Sequence, residues 1–495
     1  MEKIIIYKEF DLGDFYSQLE SSEIKEELVA KIEDWYFDLE CKPFDNAVNC
    51  EEHTISDLIG FGSTARAYRL DAERSSAKYH DCVIKELFPS ELGCQPDDKT
   101  RKIHPKIEVG ADEYIMRARK KMNAKIKEFI EAARHSKLLE NDASNLGISL
   151  VLKVDLVMTS IGLCQISPKL CGALLDEFVQ ESNADNSRKS MQKTLEYFVI
   201  FLKSILYVYH NSNTVKVKLN NGFWEYTPPS KLHADIKCEN VWRWTIDGEE
   251  TVTFRSLDFG SVIDIDDLIN SITTDQSDED TLIKKHKTRF ESTESYYSKK
   301  LICETIKQVA LLRGDKAEKA LSQLLVKQLD LVAITKLLLA WLIGNPNVEA
   351  SKISQEDIFN STLRRLNLNE KSIASFKVYH IVHLFVCLLT KIHIIERCVA
   401  SNFEKLETDN TPPMLLENIL TGEELKQKIQ NLIDILKDGE KCYIDNHTNL
   451  DDQFQKSILD AKGIYTMKDM FDNVMEDFNK ELVHPGEILY KWAYN

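Results

Sequence analysis

The sequence predicts an α+β protein in which strands are concentrated toward the N-terminal end and helices fill the remainder. Runs of residues typical of strands occur near residues 59–70, at 82–87, at 150–158 and at 164–166. Beyond residue 190, apolar residues recur mainly with helical spacing. With 495 residues the chain exceeds one typical domain, so two lobes with additional segments are expected.

Residues 1–50 form an N-terminal extension. Ile4–Tyr7 predicts a short strand, and Ser21–Leu39 predicts a helix. In that helix, apolar residues recur every fourth position at Ile24, Leu28, Ile32 and Tyr36. We expect this extension to pack on the domain that follows it, without chemistry of its own.

A glycine-containing strand–turn–strand comes next. It reads Ile59-Gly60-Phe61-Gly62-Ser63-Thr64-Ala65-Arg66-Ala67-Tyr68-Arg69-Leu70. Glycine lets backbone amides approach a ligand closely, and alanine is its least bulky replacement. The next strand-like run, Cys82-Val83-Ile84-Lys85-Glu86-Leu87, places a lysine within a mostly apolar segment. It is followed by an irregular insert over Phe88–Glu108.

The most informative stretch lies between Leu232 and Gly260. Its first half reads His233-Ala234-Asp235-Ile236-Lys237-Cys238-Glu239-Asn240, and its second ends in Leu257-Asp258-Phe259-Gly260. The residues between the two motifs predict a β-hairpin, with strands over Val241–Ile246 and Thr251–Leu257 and a turn at Asp247-Gly248.

These residue types suit phosphoryl transfer. That reaction needs a nucleophile held in line and cations that neutralise charge on the moving phosphoryl group. Asp235 is the candidate catalytic base, and Lys237 would point the same way from an extended loop, toward the γ-phosphate. Asn240 and Asp258 carry oxygen ligands of the kind that Mg²⁺ prefers.

The ordered pair of motifs resembles the catalytic loop and metal-binding loop of protein kinases, H-x-D-x-K-x-x-N followed by D-F-G. The upstream glycines are similar to that family's G-x-G-x-x-G-x-V loop, with Ala65 and Ala67 in the last two named places. The strand with Lys85 resembles the family's V-A-I-K strand. The resemblance implies a bilobal protein kinase-like fold, with an antiparallel-sheet N-lobe over residues 51–172, a mainly helical C-lobe with inserts over 173–480 and a C-terminal tail over 481–495.

The resemblance also implies roles for single residues. Asp235 would be the catalytic base, aided by Lys237, and Lys85 would bind the α- and β-phosphates of ATP. A helix predicted over Asp112–Leu139 would supply the glutamate that pairs with Lys85, either Glu131, which we prefer, or Glu128. The residues expected to bind nucleotide are Gly60, Gly62, Ser63, Ala65, Lys85, Leu170 and Cys171. Those expected to bind Mg²⁺ are Asn240 and Asp258.

In the C-lobe, a helix is predicted over Met191–His210, followed by a polar insert over Asn211–Ser230. The activation segment would run through the acidic, Ser/Thr-rich stretch Asp264–Asp280 and end near Ser295–Lys300. Within it, Ser271–Asp280 is interpreted as a solvated loop, with a phosphorylation site as the alternative. A central helix would follow, and the resemblance implies that its Asp330 braces the backbone of the catalytic loop.

The last part of the chain is helical in pattern. The run Thr421-Gly422-Glu423-Glu424 is a capping box that opens a helix with Leu425 and Ile429 facing inward. Two interpretations of the residues beyond 350 remain open: they extend the C-lobe to about residue 480, which we prefer, or they form a separate helical domain.

Two departures from the kinase pattern concern regulation. Ala234 stands where many kinases have an arginine that receives a phosphate on the activation segment. Activity is therefore expected not to depend on such phosphorylation, and alanine at Ser295 and Tyr296 should leave turnover largely intact. The closing Ala-Pro-Glu motif also lacks its glutamate.

The composition bears on the partners and the cellular compartment of the protein. A net charge of −17 argues against nucleic acid as a direct partner. The 11 cysteines form no C-x-x-C pair and no apolar leader opens the chain, which favours a reduced, cytoplasmic protein. No segment is typical of a membrane span.

Three histidines near the apolar segment 381–395 could bind zinc, but packed histidines are commoner: His380, His383 and His393. Cys82 and Cys238 are interpreted as structural thiols.

The sequence thus favours an ATP- and Mg²⁺-dependent kinase that phosphorylates Ser/Thr in protein substrates and also itself. One alternative is a pseudokinase scaffold that binds nucleotide or partners without turnover, which the substituted glycine loop and the missing closing motif favour. Another is a small-molecule phosphotransferase of the aminoglycoside/choline kinase type, which usually lacks Lys at this spacing and a strict D-F-G. The sequence specifies neither the substrate nor the oligomeric state.

Overall fold

A computed structural model describes the chain in segments: residues 2–7, 22–37, 50–62, 64–70, 79, 82–90, 95–104, 111–145, 154–168, 172–181, 188–210, 215–219, 222–226, 230–245, 252–256, 262–290, 296–312, 316–347, 349–372, 378, 381–382, 384–389, 392, 421–437, 466, 468–469 and 471–472. The chain divides into two compact units. The barrel unit comprises residues 1–172, 211–230 and 244–262, and the helical unit comprises residues 173–210, 231–243 and 263–495.

Six antiparallel strands form a closed barrel in the barrel unit. They are β1 (Glu2–Tyr7), β2 (Cys50–Phe61), β3 (Ala65–Leu70), β4 (Cys82–Leu87), β5 (Asp155–Thr159) and β6 (Gly162–Pro168). Their order around the barrel is β1-β2-β3-β4-β6-β5. Alternate residues fill the interior, because successive side chains of a strand point to opposite faces. This interior core includes Ile4, Ile6, Ile55, Leu70, Ile84 and Ile166.

The N-terminal strand closes this barrel. β1 pairs with β2 along its whole length, from Glu2 opposite Ile55 to Tyr7 opposite Cys50. Ile6 and Tyr7 also pair with β5 on the other side. Closure leaves neither neighbouring strand with an unpaired edge. The N-terminal extension is therefore a structural part of the barrel unit, more than a segment packed on its surface.

Two helices cover the barrel's outer face. They are α1 (Ser22–Phe37) and α2 (Ala111–Asn145), close to the predicted bounds. Arg119 of α2 donates to Glu33 at 2.8 Å and to Asp34 at 3.0 Å, and Lys127 contacts Glu26 at 2.6 Å. These pairs, together with shared burial of apolar residues, fix α2 against the N-terminal helix.

An irregular segment, residues 95–104, brings a charged pair to the barrel interior. Arg101 Nε lies 2.7 Å from the carboxylate of Glu86, whose side chain is almost fully buried. The same guanidinium lies 3.7 Å from the exposed Glu2. Ile103 N donates to Tyr36 O at 2.8 Å, which ties the segment to α1.

The remaining strands are short. They are β7 (Gly172–Leu174), β8 (Val215–Leu219), β9 (Gly222–Tyr226), β10 (Lys231–Leu232), β11 (Val241–Thr245), β12 (Val252–Ser256) and β13 (Ile263–Asp264). β8 and β9 pair as an antiparallel hairpin in the region that the sequence presented as a polar insert. Among the described helices, none combines the length and apolarity that a bilayer crossing requires.

The helical unit is built around one long helix. Its helices are α3 (Leu175–Glu181), α4 (Arg188–Ser204), α5 (Ile265–Thr273), α6 (Glu279–Lys287), α7 (Lys299–Leu311), α8 (Lys316–Ile343), α9 (Gln355–Arg365) and α10 (Gly422–Lys437). In α8 the apolar residues from Leu331 to Leu342 are buried on every side. A helix that is apolar all round belongs in the centre of a domain.

The C-terminal residues pack back on this unit. α10 contacts α4, and Gly422 packs directly against the side chain of Leu206, just after α4. A larger residue at this position would require the Leu206 side chain to move. Glu424 N donates to Thr421 Oγ1 at 3.1 Å, as the predicted cap requires.

Burial raises the pKa of Glu86 to about 7, although Arg101 and Tyr68 oppose the shift. An unfolded glutamate loses its proton near about pH 4.3. Between these values the folded state retains a proton that the unfolded state has lost. Stability therefore falls as the pH rises through this window, and the loss levels off above about pH 7.

We predict that Glu86→Gln flattens this dependence. The wild-type unfolding temperature should fall on the order of 5 °C more than that of Glu86→Gln between about pH 5 and pH 7.5, measured by calorimetry. Glu2→Gln is the control, because it removes an exposed carboxylate near the same arginine, and it should follow the wild type. Equal pH slopes for the wild type and Glu86→Gln would contradict the assignment.

Candidate catalytic site

The predicted catalytic loop lies in the helical unit and starts from a short strand. β10 pairs with β13, Lys231 opposite Asp264 and Leu232 opposite Ile263. At the end of the loop, a single 3-10 turn spans Cys238–Asn240. Asn240 N donates to Lys237 O at 3.0 Å, which folds the chain back on itself. The turn is the reason that side chains several positions apart meet.

Asp235, Lys237 and Asn240 converge at one carboxylate. Asn240 Nδ2 donates to Asp235 Oδ2 at 2.6 Å and to Asp235 O at 2.9 Å. Lys237 Nζ lies 3.2 Å from the same Oδ2. The Asp235 side chain is almost fully buried, while that of Lys237 is about one fifth exposed, at 22%. A cation and an amide thus hold the aspartate in one orientation.

Asp330, in α8, binds the backbone of this loop. Its Oδ2 accepts from His233 N at 2.8 Å, and its Oδ1 accepts from Ala234 N at 3.1 Å. His210 Nε2 lies 3.1 Å from Oδ2. The prediction that Asp330 braces the catalytic loop is confirmed by the two backbone bonds. His210 was not anticipated, because it ends a helix pattern far from the motif.

The bonds to Asp330 accompany an uncommon backbone conformation. Ala234 has a φ of +63°, in the left-handed region that residues with a Cβ rarely adopt. Such a conformation costs on the order of 1 kcal/mol and persists only where surrounding contacts impose it. The carboxylate of Asp330 supplies that contact at the residue itself and at the one before it.

The charge state of Asp330 follows from its partners. Burial alone would raise the pKa of this carboxyl, but the bond from His210, the charges of His210 and His233, and the His233 amide outweigh it. The pKa is therefore lower than usual. A carboxylate that accepts several hydrogen bonds keeps its charge even when buried.

Of the two predicted metal ligands, Asn240 lies within the described residues. Both described bonds of the Asn240 amide nitrogen go to Asp235, so Oδ1 is the side-chain atom suited to a cation. An amide oxygen is a hard ligand of the kind that Mg²⁺ accepts. The other predicted ligand, Asp258, lies outside the described residues. Within the described segments, no group of three or more His, Cys, Asp or Glu residues is arranged to hold a metal ion.

Lys85 lies on β4 in the barrel unit, on the side facing α2. It pairs with Gln165 of β6, whose Nε2 donates to Phe129 O of α2 at 3.0 Å. Lys85 Nζ lies 6.0 Å from the centre of the Phe129 ring. Glu131 is partly buried two residues further along α2, and Glu128 contacts Lys125 of its own helix at 3.0 Å.

The glycine turn joins β2 to β3. Gly62 N donates to Ala65 O at 2.9 Å, and Gly60 pairs with Ala67. A Cβ at Gly60 would lie 3.6 Å from the nearest atom, and at Gly62 3.8 Å, both ordinary contact distances. Neither glycine is therefore required by the fold. The Ala65 side chain is buried in a second hydrophobic cluster of the barrel unit, which also includes Tyr36, Leu87 and Met122. Three other predicted nucleotide-binding residues lie outside the described residues: Ser63, Leu170 and Cys171.

The acidic stretch after the second motif forms two short helices joined by a turn. Within the predicted loop Ser271–Asp280, residues 274–278 form that turn, whereas 271–273 and 279–280 are helical. Asp264 begins α5 by accepting from Asp267 N at 2.9 Å, and Asp278 begins α6 by accepting from Thr281 N at 3.0 Å. Between them, Asp275 binds Lys285 at 2.7 Å. That interaction and its bonds to Ser277 lower the pKa of Asp275.

Two adjacent tyrosines, Tyr296 and Tyr297, contact the predicted catalytic loop. Tyr296 is buried, and its hydroxyl donates to Pro346 O at 2.5 Å and lies 3.0 Å from Cys238 Sγ. Alanine at Tyr296 would leave a cavity, so it cannot serve as the neutral substitution that the sequence suggested. Burial raises the pKa of the Cys238 thiol to about 12, which keeps it protonated and unreactive. Ser295 lies outside the described residues.

Comparisons with known proteins do not assign the chain to a family. No family model matches the chain, and no curated protein matches it. Among solved structures, the crystal structure of a Plasmodium kinase domain aligns at 13% sequence identity over 79% of this chain and 87% of that chain, with a TM-score of 0.30. At that TM-score the two folds are not shown to be the same.

We predict that Asp330→Ala destabilises the helical unit by about 3 to 5 kcal/mol, because it leaves buried donors without their acceptor. Chemical denaturation followed by circular dichroism measures this. Asp266→Ala is the control. Asp266 also contacts α8, at 2.8 Å from Gln323, but its side chain is 39% exposed, so the expected loss is below about 1 kcal/mol. Similar losses in both variants would contradict a special role for Asp330.

Proposed function

We propose that the chain is an ATP- and Mg²⁺-dependent protein kinase that transfers the γ-phosphoryl group to Ser/Thr hydroxyls of proteins, itself included. The observation that carries the proposal is the cluster of Asp235, Lys237 and Asn240 on a loop whose backbone is bound by Asp330. Phosphoryl transfer depends mainly on positioning and charge, and this cluster supplies both.

In the proposed reaction, Asp235 accepts the proton of the substrate hydroxyl as its oxygen attacks the γ-phosphorus. The bond from that phosphorus to the β-γ bridging oxygen breaks, and ADP leaves. Lys237, beside Asp235, neutralises charge that builds on the γ-phosphate oxygens. Mg²⁺, held by Asn240 and Asp258, would neutralise further phosphate charge.

The barrel unit contributes the proposed nucleotide contacts. Lys85 would bind the α- and β-phosphates, supported by Glu131. Gly60 and Gly62 support the assignment because the fold itself would accommodate a Cβ at both positions. Glycine there is explained by the close approach of a ligand to the backbone.

Ser/Thr specificity and protein substrates rest on the resemblance. Lys237, two residues after the proposed base, is the feature that resembles Ser/Thr-directed kinases. It also distinguishes the chain from aminoglycoside/choline-type phosphotransferases, which usually lack it.

A scaffold without turnover is the second candidate. It is favoured by Ala65, which stands in place of a loop glycine and buries its side chain in the hydrophobic cluster of the barrel unit. Such a protein would bind nucleotide or a partner and transfer nothing.

We predict that Asp235→Asn lowers phosphoryl transfer at least 100-fold while Mg²⁺-ATP still raises the unfolding temperature. Transfer is measured with radiolabelled ATP, as autophosphorylation and on a generic protein, and sites are mapped by mass spectrometry. Glu239→Gln is the matched control, since Glu239 is an exposed carboxylate on the same loop, 4.0 Å from Lys237. It should retain wild-type transfer.

The outcomes separate the candidates. Binding of ATP without transfer by the wild type would favour the scaffold. Transfer to amino-alcohols but not to protein would favour a small-molecule enzyme. Persistent transfer by Asp235→Asn would remove Asp235 from the role of base.

A further inference from the structure

We propose that Tyr297 is a positioning residue that fixes the peptide following Asp235 and thereby aims the proposed base. Its effect on turnover rests on the proposed function, whereas its effect on the loop does not. Tyr297 lies in the segment Ser295–Lys300, where the sequence assigns it no role, and its contacts reach residues 61 positions before it and 33 after it.

The Tyr297 hydroxyl uses both of its bonding capacities. It donates to Asp330 Oδ1 at 2.8 Å and accepts from Ile236 N at 3.0 Å. The side chain is 1% exposed, so water does not replace either partner. The hydroxyl thus connects the carboxylate in α8 to the amide directly after Asp235.

The bond between Tyr297 and the Ile236 amide is one of three that connect the loop backbone to Asp330. Asp330 binds the amides of His233 and Ala234 directly, and it binds the amide of Ile236 through Tyr297. Three of four consecutive amides therefore depend on one carboxylate. The hydrogen bond to Tyr297 fixes the orientation of the peptide group between Asp235 and Ile236. That orientation in turn sets the direction of the Asp235 side chain.

The hydroxyl group of Tyr297, and not its ring, makes both hydrogen bonds. Phenylalanine would preserve the packing of the ring but leave the Ile236 amide buried without an acceptor. The peptide would then rotate or the loop would open toward water. A small displacement of a catalytic group reduces transfer strongly, while nucleotide contacts made by other residues are preserved.

The first test needs no activity. Hydrogen–deuterium exchange is measured on the full chain for the wild type, Tyr297→Phe and Tyr36→Phe. Tyr36 is the matched control: it is fully buried in the barrel unit, and its hydroxyl also donates once, to Leu87 O at 3.2 Å, and accepts once, from Leu163 N at 3.1 Å. In Tyr297→Phe, exchange of the peptide covering residues 231–241 should accelerate at least tenfold, with no change there in Tyr36→Phe. Unchanged exchange in Tyr297→Phe overturns the proposal.

The second test separates positioning from general destabilisation. Tyr297→Phe should lower kcat at least tenfold while KM for ATP stays within twofold of the wild type, and Tyr36→Phe should leave kcat within twofold. A wild-type kcat in Tyr297→Phe, or an equal loss in Tyr36→Phe, overturns the link to turnover. If the wild type transfers no phosphate, the proposed function fails, and the exchange measurement alone decides the role of Tyr297.

Discussion

The structure of the candidate site depends on one buried carboxylate. Asp330 is fully buried beside the apolar residues of α8, where an ion is costly unless its lone pairs are satisfied. Its partners are two backbone amides, a histidine and a tyrosine hydroxyl. The same bonds that stabilise the charge hold the loop in a conformation that Ala234 would not adopt alone. The same set of hydrogen bonds therefore contributes both to the stability of α8 and to the geometry of the loop.

The barrel unit is organised differently, by closure of a sheet. β1 occupies the place between β2 and β5, and α1 then binds α2 through ion pairs. Lys85 faces α2, so the environment of this lysine depends on residues at the start of the chain. Segment 95–104 adds the buried pair of Glu86 and Arg101 on the opposite face of the same strand. Neighbouring residues of β4 therefore face two unlike environments.

Features with a local signal could be predicted from the sequence. The periodic helices α1 and α2 and the cap at Thr421 follow from spacing and cap chemistry. Asp235, Lys237 and Asn240 belong to one motif that resembles the kinase catalytic loop, and an extended loop is expected to point Lys237 the same way as Asp235. The 3-10 turn that brings Asn240 back to Asp235 is seen only in the structure. Which glutamate pairs with Lys85, and whether Asp258 joins Asn240, stay predictions.

Features that depend on distant partners could not be predicted. Nothing near Ile4 indicates that it pairs with His53, and nothing near Tyr297 indicates Asp330. Two further elements have local signals in the sequence. Alternating Val and Lys before Asn221-Gly222 indicate the hairpin β8–β9. Asp264 and Asp278 are residues of the type that caps helices, and they begin α5 and α6.

The claim that one carboxylate makes the loop rigid can be measured directly in the wild-type protein. Amide exchange of residues 233, 234 and 236 should be as slow as that of the buried centre of α8, because the two open together. Exchange at the rate of an exposed surface loop, while α8 remains protected, would show that Asp330 does not hold the loop and would contradict this account of the site.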